Sequence, residues 1–180
     1  TSATPKKPDH PGATNIHSDP NAAARHVENS KAWLGVLHAA GYSGIAWPAE
    51  YGGGGGESWM TRIEREIAGD YQEWTGFPGS TIAMLGPTLM RHGTEEQKKE
   101  FIPTLLSGER TFCQLFSEPG AGSDLASLGT KAVLDGSPDD GEFVVNGQKV
   151  WNSSAQYTDW GFILVRTDPD APKHKGITFL

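Results

Sequence analysis

From Asn21 to about residue 110 apolar positions recur every three or four places, and beyond that they follow a strand-like pattern. From Asn21 to Ala40, Ala23, Val27, Leu34 and Leu37 fall at helical spacing with Trp33 beside them, as in a helix that buries one stripe. Asp19 and Pro20 before this run and Gly41 after it are start and stop signals. Helical spacing resumes over Ser58 to Trp74, with Ile63, Ile67 and Tyr71 four apart. Ser80 to Met90 predicts a buried helix that Gly86-Pro87 breaks or kinks. Thr94-Glu95-Glu96-Gln97 has the form of a capping box, and the helix it starts ends near Gly108. Between the first two helices, the segment from Gly44 opens into a glycine run ending at Gly56. Such a run reads as a turn or mobile loop, because each glycine loses much backbone entropy on ordering.

After Glu109 the segments are short, rich in aromatic and β-branched residues, and punctuated by Gly, Pro and Asp. Thr111–Phe116, Lys131–Leu134, Glu142–Val145, Gln148–Trp151, Gly161–Arg166 and Gly176–Leu180 are predicted strands. Val145-Asn146-Gly147-Gln148 predicts a type I′ hairpin, which needs two positive φ angles at its centre. Helices followed by strands give an α+β class: a polar arm over 1–20, a helical domain over 21–110 and a β domain over 111–180. The sequence has no internal repeat, and its last strand runs to Leu180 without a polar tail, as if cut off.

Composition narrows the function. A hydrophobic fraction of 36% with six Trp and seven Phe describes a soluble protein able to form a core, not a disordered acidic tail. No stretch approaches the roughly 20 apolar residues that span a bilayer. The first 20 residues lack the apolar centre of a signal peptide. A net charge of −7 argues against nucleic acid as a partner. The single Cys113 forms no internal disulfide, and the six histidines sit in no metal-ligand frame. A reducing, cytoplasmic setting and no bound metal are expected.

Candidate chemistry sits in two segments. Cys113 to Asp124 delivers a strand into a turn with Gly120, Gly122 and Ser123, where backbone N–H groups can converge on an anion and a hydroxyl can donate. Taken alone, such a loop is more often an ordinary turn. Trp151-Asn152-Ser153-Ser154 offers a flat ring and two hydroxyls, and taken alone reads as a core tryptophan and a loop. Together they suit a flat heteroaromatic with a pyrophosphate tail.

Glu118-Pro119-Gly120-Ala121-Gly122-Ser123-Asp124 resembles a signature of the acyl-CoA dehydrogenase family. Asn146-Gly147-Gln148-Lys149-Val150-Trp151, Trp47-Pro48-Ala49-Glu50-Tyr51-Gly52-Gly53 and Gly93-Thr94-Glu95-Glu96-Gln97-Lys98 are similar to that family too, in the same order. The resemblance implies an all-α N-terminal domain and an antiparallel β-barrel or sandwich middle domain, with the chain ending before a C-terminal helical bundle. It implies FAD held between the β domain and that bundle. Gln114, Phe116 and Ser117 would line the flavin, with Ser117 at its pyrimidine edge. Gly122 and Ser123 would contact the pyrophosphate, and Ser123 also the acyl-CoA. Trp151 would pack on the ring and Ser153, where many relatives have Thr, would bond near N5. The implied reaction is α,β-dehydrogenation of an acyl-CoA, with electrons passing to an electron-transfer flavoprotein or similar acceptor, in a homo- or hetero-oligomer. The base would be a Glu beyond Leu180, with Glu118 bracing its turn, so no catalytic residue is assigned here. Residues 1–180 alone are expected to hold FAD weakly or not at all. A non-catalytic acyl-CoA-binding subunit and an oxygen-reducing oxidase are the alternative readings.

Overall fold

The computed structural model describes residues 21–69, 76–138 and 140–180. It divides between Thr111 and Phe112 into two compact units. The predicted arm, the Asp19-Pro20 start signal and the turn of helix at Tyr71 to Trp74 lie outside the described residues.

In the first unit, α1 (Ala22–Ala39), α2 (Ser58–Ala68), α3 (Gly76–His92) and α4 (Glu95–Ser107) follow one another. Helices α1, α3 and α4 pack together around Val27, Leu34, Leu85, Leu89, Ile102, Leu105 and Leu106. Burial along α3 falls on Thr81, Leu85 and Leu89, four residues apart and therefore on one face, while Met84 on another side is exposed. Of the break or kink expected at Gly86-Pro87, the break does not occur: α3 runs through both residues. The Trp47 ring lies so close to Gly86 that a Cβ there would collide with it, so this glycine makes room for a neighbour. Ala83, whose carbonyl Pro87 cannot bond, is on the exposed side of the helix, as is Pro87 itself. Helix α4 starts with the expected box: Gln97 N–H donates to Thr94 Oγ1 at 3.2 Å and Thr94 N–H to Gln97 Oε1 at 3.0 Å. It stops at Gly108, whose φ of 72° belongs to the left-handed region. Helix α2 buries no residue, and Trp59, Met60, Ile63 and Ile67 are exposed on it.

The glycine run is a stitched loop. The amides of Gly53, Gly54, Gly55 and Gly56 donate to the carbonyls of Pro48, Gly44, Trp47 and Ile45 at 2.8–3.1 Å. Buried Tyr51 ties the loop's entry to α4 by donating its hydroxyl to Glu95 Oε2 at 2.7 Å. That bond, helped by burial and by the charges of Glu50 and Glu95, pushes the phenol up to about 12.

The second unit holds β1 (Phe112–Leu115), β2 (Lys131–Asp135), β3 (Glu142–Asn146), β4 (Trp160–Arg166) and β5 (Ile177–Phe179). They form one five-stranded sheet in the order β1-β4-β2-β3, with β5 also on β4. The sheet is mixed, which corrects the antiparallel barrel or sandwich expected from sequence. β1 runs parallel to β4, with Phe112 opposite Trp160, and β2 meets β4 in parallel at Lys131 and Arg166. The β2–β3 and β4–β5 pairs are antiparallel. Parallel neighbours need a long crossover, and the whole stretch between β1 and β4 serves as one. A second correction concerns Asn146-Gly147. Neither residue has positive φ, and β3 pairs backwards with β2 across the Gly136–Gly141 turn. Gly147 is small because Thr130 occupies the space where its Cβ would go. The strand predicted at Gln148–Trp151 does not form; this segment bonds to the turn after β1 instead.

Candidate functional site

The site is built where β1 runs out. Extended chain beyond Leu115 puts Gln114 and Phe116 on one face. The Phe116 ring stands edge-on to Phe162 at 5.7 Å and to Phe179 at 6.3 Å. This aromatic trio anchors the chain just before it turns. At the turn Glu118 and Ala121 exchange backbone hydrogen bonds of 3.0 and 3.1 Å, closing a tight loop.

Glu118 braces that loop. Its Oε2 accepts from Gly129 N–H at 2.6 Å, and its Oε1 from Thr130 N–H at 2.9 Å and Lys149 Nζ at 2.8 Å. The ion pair is well shielded, with 6% of the Lys149 side chain and 11% of the Glu118 side chain exposed. Burial by itself would raise the carboxyl pKa. The lysine and the two amides outweigh it and bring the group down to about 2. Glu118 is thus a fixed anion with both oxygens engaged.

Lys149 also donates to the Phe116 carbonyl at 2.9 Å, and Val150 N–H donates to the Ser117 carbonyl at 2.8 Å. These bonds join the two candidate segments, about thirty residues apart in the chain. Ser117 is thereby set beside Val150 and the Trp151 that follows it. The next turn is unusual in conformation: Trp151 and Ser154 have φ of 61° and 63°, an uncommon region for residues with a Cβ. Ser153 N–H donates to the Trp151 carbonyl at 3.1 Å, and Ala155 N–H to that of Asn152 at 3.2 Å. Trp151 is 89% exposed, so it is not the core tryptophan that the segment taken alone suggests.

Gly122 and Ser123 belong to the other flank. A Cβ added at Gly120 or Gly122 would meet nothing within 4 Å. Asp124 links this flank to Lys173 at 3.1 Å. Among the described residues no protein group hydrogen-bonds the hydroxyls of Ser117, Ser123 or Ser153. Asn152 Oδ1 is buried without a partner. Asn152, Lys149, Thr130 and Arg166 were not singled out in the sequence. Lys149 was within reach of sequence reasoning, as the one cation of the Asn146–Trp151 motif; Thr130 and Arg166 act through distant partners that no local pattern reveals. Among the described residues no cluster of three or more His, Cys, Asp or Glu could hold a metal ion, and no helix is long and apolar enough to cross a membrane.

Comparison with known proteins agrees with this architecture. The model of the acyl-CoA dehydrogenase N-terminal domain matches residues 14–109, and that of the acyl-CoA dehydrogenase middle domain matches residues 113–180. Acyl-CoA dehydrogenase FadE34 of Mycobacterium tuberculosis is 51% identical over 74% of this chain and 18% of its own length. Acyl-CoA dehydrogenase FadE29 of the same organism is 41% identical over 87% of this chain and 39% of its own. Among solved structures, the Tcur3481-Tcur3483 steroid ACAD superposes with a TM-score of 0.69 at 39% identity, covering 93% of this chain and 44% of that one. The ChsE4-ChsE5 complex from Mycobacterium tuberculosis gives 0.68 at 40% identity, covering 92% and 42%. The chain thus spans less than half the length of these relatives. With both domain models matched in order, it belongs to the acyl-CoA dehydrogenase family.

Proposed function

We propose that this chain supplies the N-terminal helical and middle β portions of an FAD-dependent enzyme that dehydrogenates an acyl-CoA thioester between its α and β carbons. The observation that carries this reading is the joining of the two motifs through Lys149, Glu118 and Val150, with a bare ring and unpartnered hydroxyls on either side. The residues present fit a flavin dinucleotide. Trp151 offers an uncovered flat face, suited to stacking. Ser117 and Ser153 would donate to the ring edges, with Gln114 and Phe116 lining the strand side. The open backbone at Gly122 and the Ser123 hydroxyl suit a pyrophosphate, and Ser123 also suits the acyl-CoA.

When bound, FAD supplies the acceptor for the hydride that leaves the β carbon. The work of this chain is positional. Donors fixed before the reaction stabilise charge without reorganising, and a braced loop holds them at a constant distance from the substrate. Glu118 does not take the α proton, because its oxygens are occupied and its pKa of about 2 makes it a poor acceptor near neutrality; the base is another carboxylate. The relatives guide the choice of substrate and partner. One structural match is a steroid ACAD and another is a two-component complex, so a polycyclic acyl-CoA and assembly with a second chain come first for testing. An electron-transfer flavoprotein or similar carrier is the proposed acceptor.

The test uses purified protein containing this chain, reconstituted with FAD. The flavin spectrum should persist through gel filtration and bleach on anaerobic addition of an acyl-CoA. Protein that neither retains FAD nor bleaches across short, long and polycyclic acyl-CoAs would overturn the proposal, and peroxide formed at the rate of turnover would redirect it to an oxidase.

A further inference from the structure

The stretch that leaves the glycine loop has its Gly129 and Thr130 amides held by Glu118, and its carbonyls are held by a second side chain. Arg166, the last residue of β4, donates Nε–H to the Leu128 carbonyl at 3.1 Å and Nη2–H to that of Ala126 at 2.8 Å. Its Nη1–H goes to the Lys173 carbonyl at 3.0 Å, and its backbone N–H to the Thr130 carbonyl at 2.7 Å. One guanidinium therefore ties Ala126 and Leu128, at the loop's exit, to the turn at Lys173, and the Arg166 amide adds Thr130. The clamp is rigidly founded: Leu128 is 1% exposed and Val165, next to Arg166, is fully buried.

The clamp leaves a charge without an answer. Carbonyl oxygens accept hydrogen bonds but bring no negative charge. Among the described residues Asp124 pairs with Lys173 and Glu118 with Lys149, and Asp168 turns Oδ1 to the amides of Asp170 and Ala171 rather than to the guanidinium. No described carboxylate pairs with Arg166. This holds although the chain carries a net charge of −7. A half-buried cation without a counter-charge is unfavourable, and a guanidinium bonded to three carbonyls still has two of its five N–H donors to spare. An anion arriving at the adjoining loop would supply the missing charge.

We infer that Arg166 is a positioning residue for the pyrophosphate of the dinucleotide. It fixes the exit of the Gly120–Ser123 loop through three carbonyls and gives that loop an uncompensated positive potential. The inference rests on the flavin reading above and deepens it. Two variants separate its parts. Arg166→Lys keeps the charge but cannot bridge three carbonyls, whereas Arg166→Gln removes the charge as well.

The experiment compares dissociation constants of FAD and riboflavin, by fluorescence quenching, for unsubstituted protein and both variants. Riboflavin carries the ring without any phosphate. FAD affinity should fall about tenfold in R166K and about a hundredfold in R166Q, the scale of lost charge-assisted bonds, while riboflavin affinity stays within about twofold. R166K carries the decision should R166Q fail to fold. An equal loss for both ligands, or FAD affinity unchanged in both variants, would make Arg166 a plain structural residue and leave the flavin reading standing. If the unsubstituted protein holds no flavin, the proposed function falls and inorganic pyrophosphate decides the role of Arg166. Amide exchange over residues 121–130 slowed by pyrophosphate in the unsubstituted protein alone upholds it; identical exchange in all three proteins overturns it.

Discussion

A Cβ added at Gly53 would collide with the Trp47 carbonyl, and one at Gly54 would lie 2.8 Å from the Ile45 carbonyl oxygen, whereas one at Gly120 or Gly122 would meet nothing within 4 Å. The two glycine loops therefore use the same residue for different ends. In the first unit glycine lets backbone press against backbone, and four consecutive amides are consumed in stitching the loop shut. In the second unit glycine leaves a gap, and shape comes from a buried carboxylate outside the gap. A loop closed on itself has nothing left to offer a ligand. A loop braced from behind keeps its front free.

Several substitutions set this contrast at risk. Glu118→Ala should have the largest effect, because it leaves Lys149, 6% exposed, without its partner; a loss of about 3–5 kcal/mol in denaturant unfolding is expected. The same brace predicts acid sensitivity. The folded pKa of Glu118, about 2, lies below its ordinary value of 4.5. Its stabilisation is therefore complete above the ordinary value and fades as pH falls from about 4.5 towards about 2. Stability plotted against pH across that window should fall more steeply for the natural protein than for Glu118→Gln; equal slopes would remove the brace from the account. Gly53→Ala should cost about 1–3 kcal/mol through overpacking against Trp47, read as a lowered Tm with flavin content per folded molecule unchanged. Gly122→Ala should change stability by no more than about 0.5 kcal/mol yet weaken FAD binding. If Gly122→Ala destabilises as much as Gly53→Ala, the distinction between the loops is lost.

What the sequence conveyed follows the range of the forces involved. The capping box at Thr94–Gln97 was legible because both partners lie within one helical turn. Five of the six predicted strands were legible from their composition. The Asn146-Gly147 hairpin was misread because a local turn preference lost to a distant neighbour, Thr130, which needs the space above Gly147. The strand at Gln148–Trp151 failed for a related reason: Val150 spends its amide on Ser117, far back in the chain. The helix runs on through Gly86-Pro87 with Ala83 and Pro87 on its exposed side, and Gly86 itself answers to Trp47, again a remote contact. The parallel pairing of Phe112 with Trp160 left no trace in either segment. The candidate residues could be picked out by motif, but the bonds joining Phe116–Glu118 to Lys149–Val150 were visible only in three dimensions.

The parallel pairing of β1 with β4 also bears on how the second unit comes together. β1 has no partner until Phe112 meets Trp160, although β4 can already pair with β5, and the chain between β1 and β4 contains both the Glu118–Asp124 turn and the Lys149–Ser154 segment. Closing a loop of that length carries an entropy that non-local contacts repay only once it is formed. The β2–β3 hairpin inside it can form early on its own local contacts, but the Glu118–Lys149 bridge cannot persist until the ends have joined. Pulse-labelled amide exchange during refolding should accordingly find the amides of Gly129, Thr130 and Val150, which donate to Glu118 and Ser117, protected only with the final cooperative phase; earlier protection of these amides would contradict this order of assembly. The two segments joined by the Glu118–Lys149 bridge would then be the last part of the unit to exist during synthesis and the first to dissolve on unfolding.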